Sequence, residues 1–392
     1  MTHSSTPFDV CIRGAGIVGR SLALLLAAQQ LRVALVHKGA VDPSETGHSD
    51  VRAYSLNTAS KQLLSDLRCW PEGDACTPIL QMQIQGDQGG DLRFDAAAQG
   101  VEALNWMVDV PVLEAKLAQA VAYQTYIEEM TEPAPAPLTV ICEGRASQTR
   151  AELGVNFEVK HYAQHALACR IQTSEAHHQV ARQWFQTTHG PEILALLPIG
   201  GKNSHAWAVV WSLTPERAQN LLHADAADFC AQLASACEQV AGTVQLTSER
   251  AVWPLQLAKA ERWIGVIPQA TAAAKATSKL QAFALAGDAA HAIHPLAGQG
   301  LNVGLGDVAE LARVIETKEF WRPLNDPKLL RRYERARQAE VLAMGWVTDG
   351  LQSLFAQPAL PLQKLRNWGM SGFNQFSPLK KWMAQHAMKS AS

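Results

Sequence analysis

The sequence predicts an α/β protein: a Rossmann-type βαβ unit, a mixed β-sheet beside it, and a helical C-terminal region. Three observations carry this reading. An apolar strand, a glycine-rich turn, a helix and a second apolar strand follow one another between residues 8 and 36. Residues 155–213 alternate short apolar runs with His, Gln and Gly, which suits an antiparallel sheet. A further apolar strand, 282–287, runs into a second glycine-rich turn and a helix from about 300 to 316.

Size and composition allow this. The chain has 392 residues, 47% hydrophobic and 18% charged, enough for two domains with buried cores. That excludes a disordered chain or a fibrous repeat. The 34 Lys and Arg balance 36 Asp and Glu, so no global field draws nucleic acid, and none is expected as a partner. The seven cysteines are odd in number and show no C-x-x-C spacing, as expected of reduced thiols in a cytoplasmic protein. No close Cys/His pairing suggests a metal site. The start, MTHSSTPFDV, lacks a basic n-region, and Arg13, Arg20 and Arg32 interrupt the apolar stretch after it. Neither a signal peptide nor a membrane span is expected there.

Taken in order, residues 8–13 read as a buried strand, 17–30 as a Leu- and Ala-rich helix and 31–36 as a second strand. Together they form a right-handed βαβ unit. Residues 111–123 look helical; TEPAPAP (131–137) is a stiff connector leading into the strand LTVIC. Residues 214–241 read as one helix. Residues 328–355 form a long helix with Arg331, Arg332, Arg335 and Arg337 on its solvent side.

Gly14-Ala-Gly16-Ile-Val-Gly19 matches G-x-G-x-x-G. The first glycine permits the tight turn, the second lets backbone approach a pyrophosphate, and the third lets helix pack on strand. The helix N-terminus then offers free N–H groups to phosphate. One part of the fingerprint departs. The second strand should end in an acid that accepts from the adenosine ribose, and here it ends in His37, followed by Lys38. A neutral imidazole accepts one hydrogen bond and makes no bidentate charged contact. His37 therefore marks a weakened ribose site or, with Lys38, a preference for a 2′-phosphate.

The second motif is longer: LAGDAAHAIHPLAGQGLNVGLG, residues 285–306. Asp288 ends the strand, where it suits polyol hydroxyls. Pro295 can lie flat against a ring. Gly298, Gln299 and Gly300 leave room for a planar ligand and open a helix, whose N–H groups suit developing negative charge. Singly, His291 or His294 would more often be a capping or core histidine.

These residues resemble the FAD-dependent aromatic hydroxylases, and among them the ubiquinone-biosynthesis hydroxylases. GAGIVG, DVRAYSLNTASKQLL (50–64), GDAAHAIHPLAGQGLNVGLGDV (287–308) and LRNWGMSGFN (365–374) carry the resemblance, which spans nearly the whole chain. It implies a para-hydroxybenzoate-hydroxylase-like fold. A discontinuous FAD-binding domain would comprise 1–154 with 269–325, a substrate domain 155–268, and a helical region 326–392. It implies FAD contacts at Gly14, Gly16, Gly19, His37, Arg52, Gly287, Asp288, Pro295, Gly298, Gly300, Leu301 and Asn302. His291, Pro295 and Gln299 are the flavin-adjacent candidates for catalysis. The implied reaction hydroxylates a polyprenyl phenol: NAD(P)H reduces the flavin, O2 forms a flavin hydroperoxide, and the ring takes the distal oxygen. The cofactor supplies that chemistry, and the protein orients and shields it.

Four departures fall on the ADP half of the implied site. They are His37, Pro111 in place of an arginine, Glu143 in place of an aspartate (with Ile141 in place of a glycine), and a span of only 28 residues between Glu114 and Glu143. Each lost charged hydrogen bond costs about 1.5–3 kcal/mol, so a loosely held FAD is expected. The alternative is a degenerate paralogue acting as a scaffold or regulator in a ubiquinone-synthesis complex. Retention of GDAAHAIHPLAGQG favours the enzyme. A flavin-free NADP reductase leaves that motif unexplained. From Gly350 onward there is no acid, while five cations interleave with Trp and Phe. This tail suits peripheral contact with the inner membrane face or with a complex; its apolar residues would otherwise pack on the domain.

Overall fold

The computed structural model describes residues 7–37, 51, 53–86, 90–186, 190–267, 281–292 and 300–356, with side chains to residue 341. Lys38, Arg52, His294, Pro295, Gly298, Gln299 and the tail 357–392 lie outside the described residues.

Six strands form one sheet: β1 (Val10–Arg13), β2 (Val33–Val36), β8 (Ile127–Met130), β9 (Leu138–Ile141), β16 (Ile264–Val266) and β17 (Ala282–Leu285). Their order is β16-β17-β9-β1-β2-β8. All neighbours run parallel except β16 and β17. β1, β2, β9 and β17 are apolar almost throughout, as buried parallel strands are. Helices α1 (Ile17–Ala28), α4 (Val110–Ala122), α8 (Gly300–Glu316) and α9 (Pro327–Ala356) share one core with them.

A nine-stranded sheet follows. It contains β5 (Gln81–Gln85), β6 (Asp91–Asp95), β10 (Phe157–Thr173), β11 (Val180–Gln186), β12 (Glu192–Ile199), β13 (Ala206–Leu213), β14 (Val244–Leu246), β15 (Ala251–Ala260) and β18 (His291–Ala292). Its path is β18-β15-β10-β13-β12-β11-β5-β6, with β14 beside β10. Only β11 and β5 pair in parallel. One face carries Trp184, Trp207 and Trp211 beneath α6 (Pro215–His223) and α7 (Ala226–Ala236). A small antiparallel sheet, β3 (Ala53–Leu56), β7 (Asn105–Asp109) and β4 (Cys76–Ile79), lies against the other face. Alternation divides β7: Trp106 and Val108 join the nucleotide-domain core, while Met107 packs with Ala208 and Leu197 of the large sheet. Short helices α2 (Thr58–Asp66), α3 (Ala96–Gln99) and α5 (Gln148–Glu152) complete the elements.

Two expectations change and one element is added. The span 214–241 holds two helices, because Ala224 is extended and Asp225 caps the second by accepting from Asp228 N–H. TEPAPAP is preceded by an edge strand, β8, that lengthens the nucleotide sheet beyond β2. Arg337 is not on the solvent side: it is 2% exposed. Its charge is met by a buried carboxylate described below, whereas Arg331, Arg332 and Arg335 are exposed. β5 and β6 come from the first 154 residues yet complete the large sheet, and β16 joins the nucleotide sheet. All seven cysteines are free thiols, and burial pushes Cys169 up to about 12.

Candidate functional site

The phosphate turn is built by sterics. β1 ends at Arg13, and Gly14 takes φ +110°, a conformation that L side chains rarely adopt. A Cβ there would sit 2.5 Å from the Cys142 carbonyl oxygen. A Cβ on Gly19 would fall 1.8 Å from the Gly14 carbonyl oxygen, so α1 lies directly on the turn. Gly16 differs: a Cβ there meets nothing within 4 Å. The open glycine is also the N-cap of α1, whose first turn has no side-chain cap and no acid. Its N–H groups are thus left for a ligand. Arg20, one turn on, has a buried Nε without a partner among the described residues. These residues fit a diphosphate. His37 follows β2 directly, its N–H donating to Met130 while Gly14 N–H donates to Val36. It therefore stands beside the turn, where a ribose contact is expected.

The other ADP-side departures have local explanations. Pro111 is exposed in the first turn of α4, where a missing N–H costs no helical bond. Glu143 turns inward: it accepts from Ser147 Oγ (2.8 Å), Thr149 Oγ1 (2.6 Å) and Thr149 N (3.1 Å). It also lies 3.3 Å from Arg13 Nε. Burial works against its ionised form, but Thr149, Ser147 and Arg13 outweigh it and hold the carboxyl below its usual range. Glu143 thus organises the start of α5.

The second motif lies across from this turn. Gly287, at φ +62°, opens a tight turn that leaves Asp288 exposed. Gly287 and Gly304 both abut Val18 of α1, which brings α8 against the phosphate helix. Gly300 opens α8, and a Cβ there meets nothing within 4 Å. Leu301 is buried in the core. The Asn302 side chain is engaged by protein. Its Oδ1 accepts from Asn57 N–H (2.9 Å) and Ser60 Oγ (2.8 Å), and its Nδ2 donates to the Ser55 carbonyl (2.7 Å). The side chain thereby pins α8 to the segment after Arg52.

His291 is 2% exposed, as a core histidine is. Its Nε2 lies 2.7 Å from Asp307 Oδ2. Sequence reasoning missed three residues here: Asp307, Arg337 and Arg150. Arg150 is 7% exposed, donates to the Ala289 carbonyl (3.0 Å) and lies 3.6 Å over the Phe157 ring. Asp307 alone carried a signal, a charge inside an otherwise apolar helical pattern.

Between the small and large sheets lies a cavity of about 250 Å³, walled by Ala53, Met107, Ile199 and Ala206. Its charged floor is an ion pair, Arg170 Nη1 to Asp109 Oδ2 at 3.1 Å. The pair joins β10 to the end of β7. The cavity shares Asp74 and Gly200 with an outer groove of about 850 Å³ that holds Trp70 and Trp106. Ala53 follows Arg52, so the cavity abuts the segment implied to contact the flavin. Among the described residues no cluster of His, Cys, Asp or Glu is placed to hold a metal ion.

A glycine phosphate turn on a parallel sheet, facing a second glycine–aspartate turn and a pocketed mixed sheet, defines the FAD-dependent monooxygenases. The chain belongs to the family described as FAD binding domain, which it matches over residues 81–345. It is 28% identical to ubiquinone hydroxylase UbiL of Rhodospirillum rubrum, over 97% of this chain and 89% of that protein. It is 27% identical to the Escherichia coli 3-demethoxyubiquinol 3-hydroxylase, over 98% of this chain and 99% of that protein. Identity to human mitochondrial ubiquinone biosynthesis monooxygenase COQ6 is 27%, covering 98% and 93%. The solved structure of p-nitrophenol 4-monooxygenase PnpA from Pseudomonas putida superposes with TM-score 0.70 at 15% identity, covering 97% and 98%. A Klebsiella pneumoniae HpxO variant complexed with FAD gives 0.68 at 14%, covering 98% and 99%. These two likenesses concern the fold.

Proposed function

We propose that this enzyme hydroxylates the aromatic ring of a polyprenyl phenol in ubiquinone biosynthesis, with FAD as cofactor, NAD(P)H as reductant and O2 as oxidant. The supporting observation is a conjunction. Similarity to ubiquinone-pathway hydroxylases runs along nearly the full chain, and the phosphate turn is sterically closed at Gly14 and Gly19 but open at Gly16. When bound, the flavin takes electrons from NAD(P)H and transfers oxygen from O2 to the ring.

The chain's own residues do the rest. The uncapped N-terminus of α1 and the open Gly16 receive the diphosphate. Asp288 takes polyol hydroxyls. Apolar walls at Ala53, Met107, Ile199 and Ala206 exclude water from the phenol ring, which strengthens every charge inside. Arg170 faces the phenol oxygen and stabilises negative charge as it develops there, and Asp109 orients Arg170. The outer groove, with Trp70 and Trp106, leads the substituent outward.

Among the described residues no helix is long and apolar enough to cross a membrane. A polyprenyl substrate partitions into lipid, so the basic, aromatic tail is proposed to reach the inner membrane face or a ubiquinone-synthesis complex. Vesicle flotation with and without residues 360–392 tests this; equal flotation removes the idea. The activity is tested by aerobic turnover of a short-chain prenyl phenol with NADH or NADPH under ¹⁸O2. The expected product carries one labelled oxygen on its ring. A flavin-loaded protein that yields no ring-labelled product would overturn the proposal.

A further inference from the structure

Behind the Gly287–Asp288 turn lies a buried charge cluster to which neither the flavin reading nor the similarities assign a role. Asp307, on α8, is fully buried. One carboxylate oxygen, Oδ2, accepts from Gly287 N–H at 2.8 Å and lies 2.7 Å from His291 Nε2. An ionised carboxylate only accepts, so His291 carries its proton on Nε2. The other oxygen accepts from Arg337 Nε at 2.8 Å. Arg337 reaches down from α9, also donating to the Val303 carbonyl (3.1 Å) and to Glu340. Its guanidinium lies flat on α8 because residue 306 is glycine: a Cβ there would stand 2.9 Å from Nη2. Nearby, Tyr333 of α9 donates to the Leu285 carbonyl at 2.7 Å, and Trp263 tilts against the His291 ring at 4.9 Å.

We infer that Asp307, held by Arg337, is a positioning residue for the flavin: it holds the Gly287 N–H and the His291 ring so that Asp288 faces the cofactor. The inference rests on the flavin reading above. Gly287 sits in the left-handed region, where the chain has alternatives, and its N–H is fixed from behind by one carboxylate oxygen. That same oxygen fixes His291, which starts the two-residue strand β18 paired to β15 at Lys259 and Ala258. Both ends of the turn therefore hang on a single atom. Arg150, donating to the Ala289 carbonyl, braces the middle from α5. Through Arg337, the seating of α9 on α8 is coupled to the ligand face of the turn.

A structural role alone would lower stability and affinity together, so the test separates them. In Asp307→Leu no acceptor is left for Gly287 N–H or His291 Nε2–H, and Arg337 would lose its buried counter-charge. FAD affinity, titrated by flavin fluorescence, is expected to fall about 30-fold, and the melting temperature of the flavin-free protein is expected to drop. In Asp307→Leu/Arg337→Met the fully buried ion pair is gone and only the part-exposed Glu340 loses a partner, so that melting temperature should recover most of its loss. FAD affinity should stay about 30-fold down, because Gly287 and His291 are still unheld. Recovery of FAD affinity along with melting temperature in the double variant would overturn the inference. If the single variant does not fold, the double variant alone decides, by the same two readings. A wild-type chain that takes up no FAD at all would instead strike the flavin reading itself.

Discussion

The two turns that face each other across α1 are held by different physics. The phosphate turn, Gly14–Gly19, is shaped by what is missing: two of its glycines sit where any Cβ would strike backbone. The Gly287–His291 turn is shaped by what is buried behind it: Asp307, Arg337 and Arg150 hold its N–H and carbonyl groups. Steric closure is local and tolerates no substitution. A buried carboxylate is long-range and can be altered by chemistry at any of its partners. The first turn is therefore rigid by construction, while the second is only as fixed as the seating of α8 and α9.

Substitutions can break or sharpen that contrast. The largest effect is expected from Gly19→Ala. Its methyl would lie 1.8 Å from the Gly14 carbonyl oxygen, backbone that cannot swing away. A loss of about 3 kcal/mol in urea unfolding is expected, with FAD uptake abolished. Retention of both would show that α1 can back off the turn. Next, Asn302→Ala leaves Asn57 N–H, Ser60 Oγ–H and the Ser55 carbonyl unanswered in the core. Unfolding should show a loss of about 2–3 kcal/mol; a change within error would mean that water replaces the amide.

Glu143→Gln should cost about 1.5 kcal/mol at neutral pH, and this loss should depend on pH. The folded carboxyl lies below its ordinary 4.5, so its contribution is present above that value and disappears as pH falls through the lower folded one. The stability difference between wild type and variant should therefore close in acid. A pH-independent difference would assign the effect to shape rather than charge. The smallest stability effect belongs to Gly16→Ala. Its φ of −77° suits alanine and its surroundings are open, so melting should shift within about 1 kcal/mol. FAD affinity should nonetheless fall about tenfold, since the methyl stands where phosphate approaches. An unchanged affinity would place the diphosphate elsewhere.

The same contrast governs what could be read from sequence. The strand–turn–helix unit was legible because glycine spacing and apolar runs report local geometry. The positions of β1, α1, β2, β9, β17 and α8 follow from them. Buried charges were not legible. Arg337 reads as one of four solvated arginines on α9, since nothing in an Arg-rich helix marks which one finds a carboxylate thirty residues away. His291 reads as a flavin neighbour through its motif, yet its ring points back to Asp307. Asn302 lies in the most specific motif and uses its side chain to fasten α8 to β3. The helical stretch 214–241 hid a break that a single Asp225 cap creates. Strand partners at long range, such as β5 and β6 joining the far sheet, leave no periodic signal at all. Glu143 was readable as a departure, but its explanation, a cluster with Ser147, Thr149 and Arg13, needed three dimensions.

The most direct measurement is a visible absorbance titration of the purified full-length chain with FAD. Saturable, equimolar uptake, with the flavin spectrum shifted by an apolar site, is the expected result. A protein that stays colourless and leaves the spectrum of added FAD unchanged would contradict the flavin assignment and favour a scaffold.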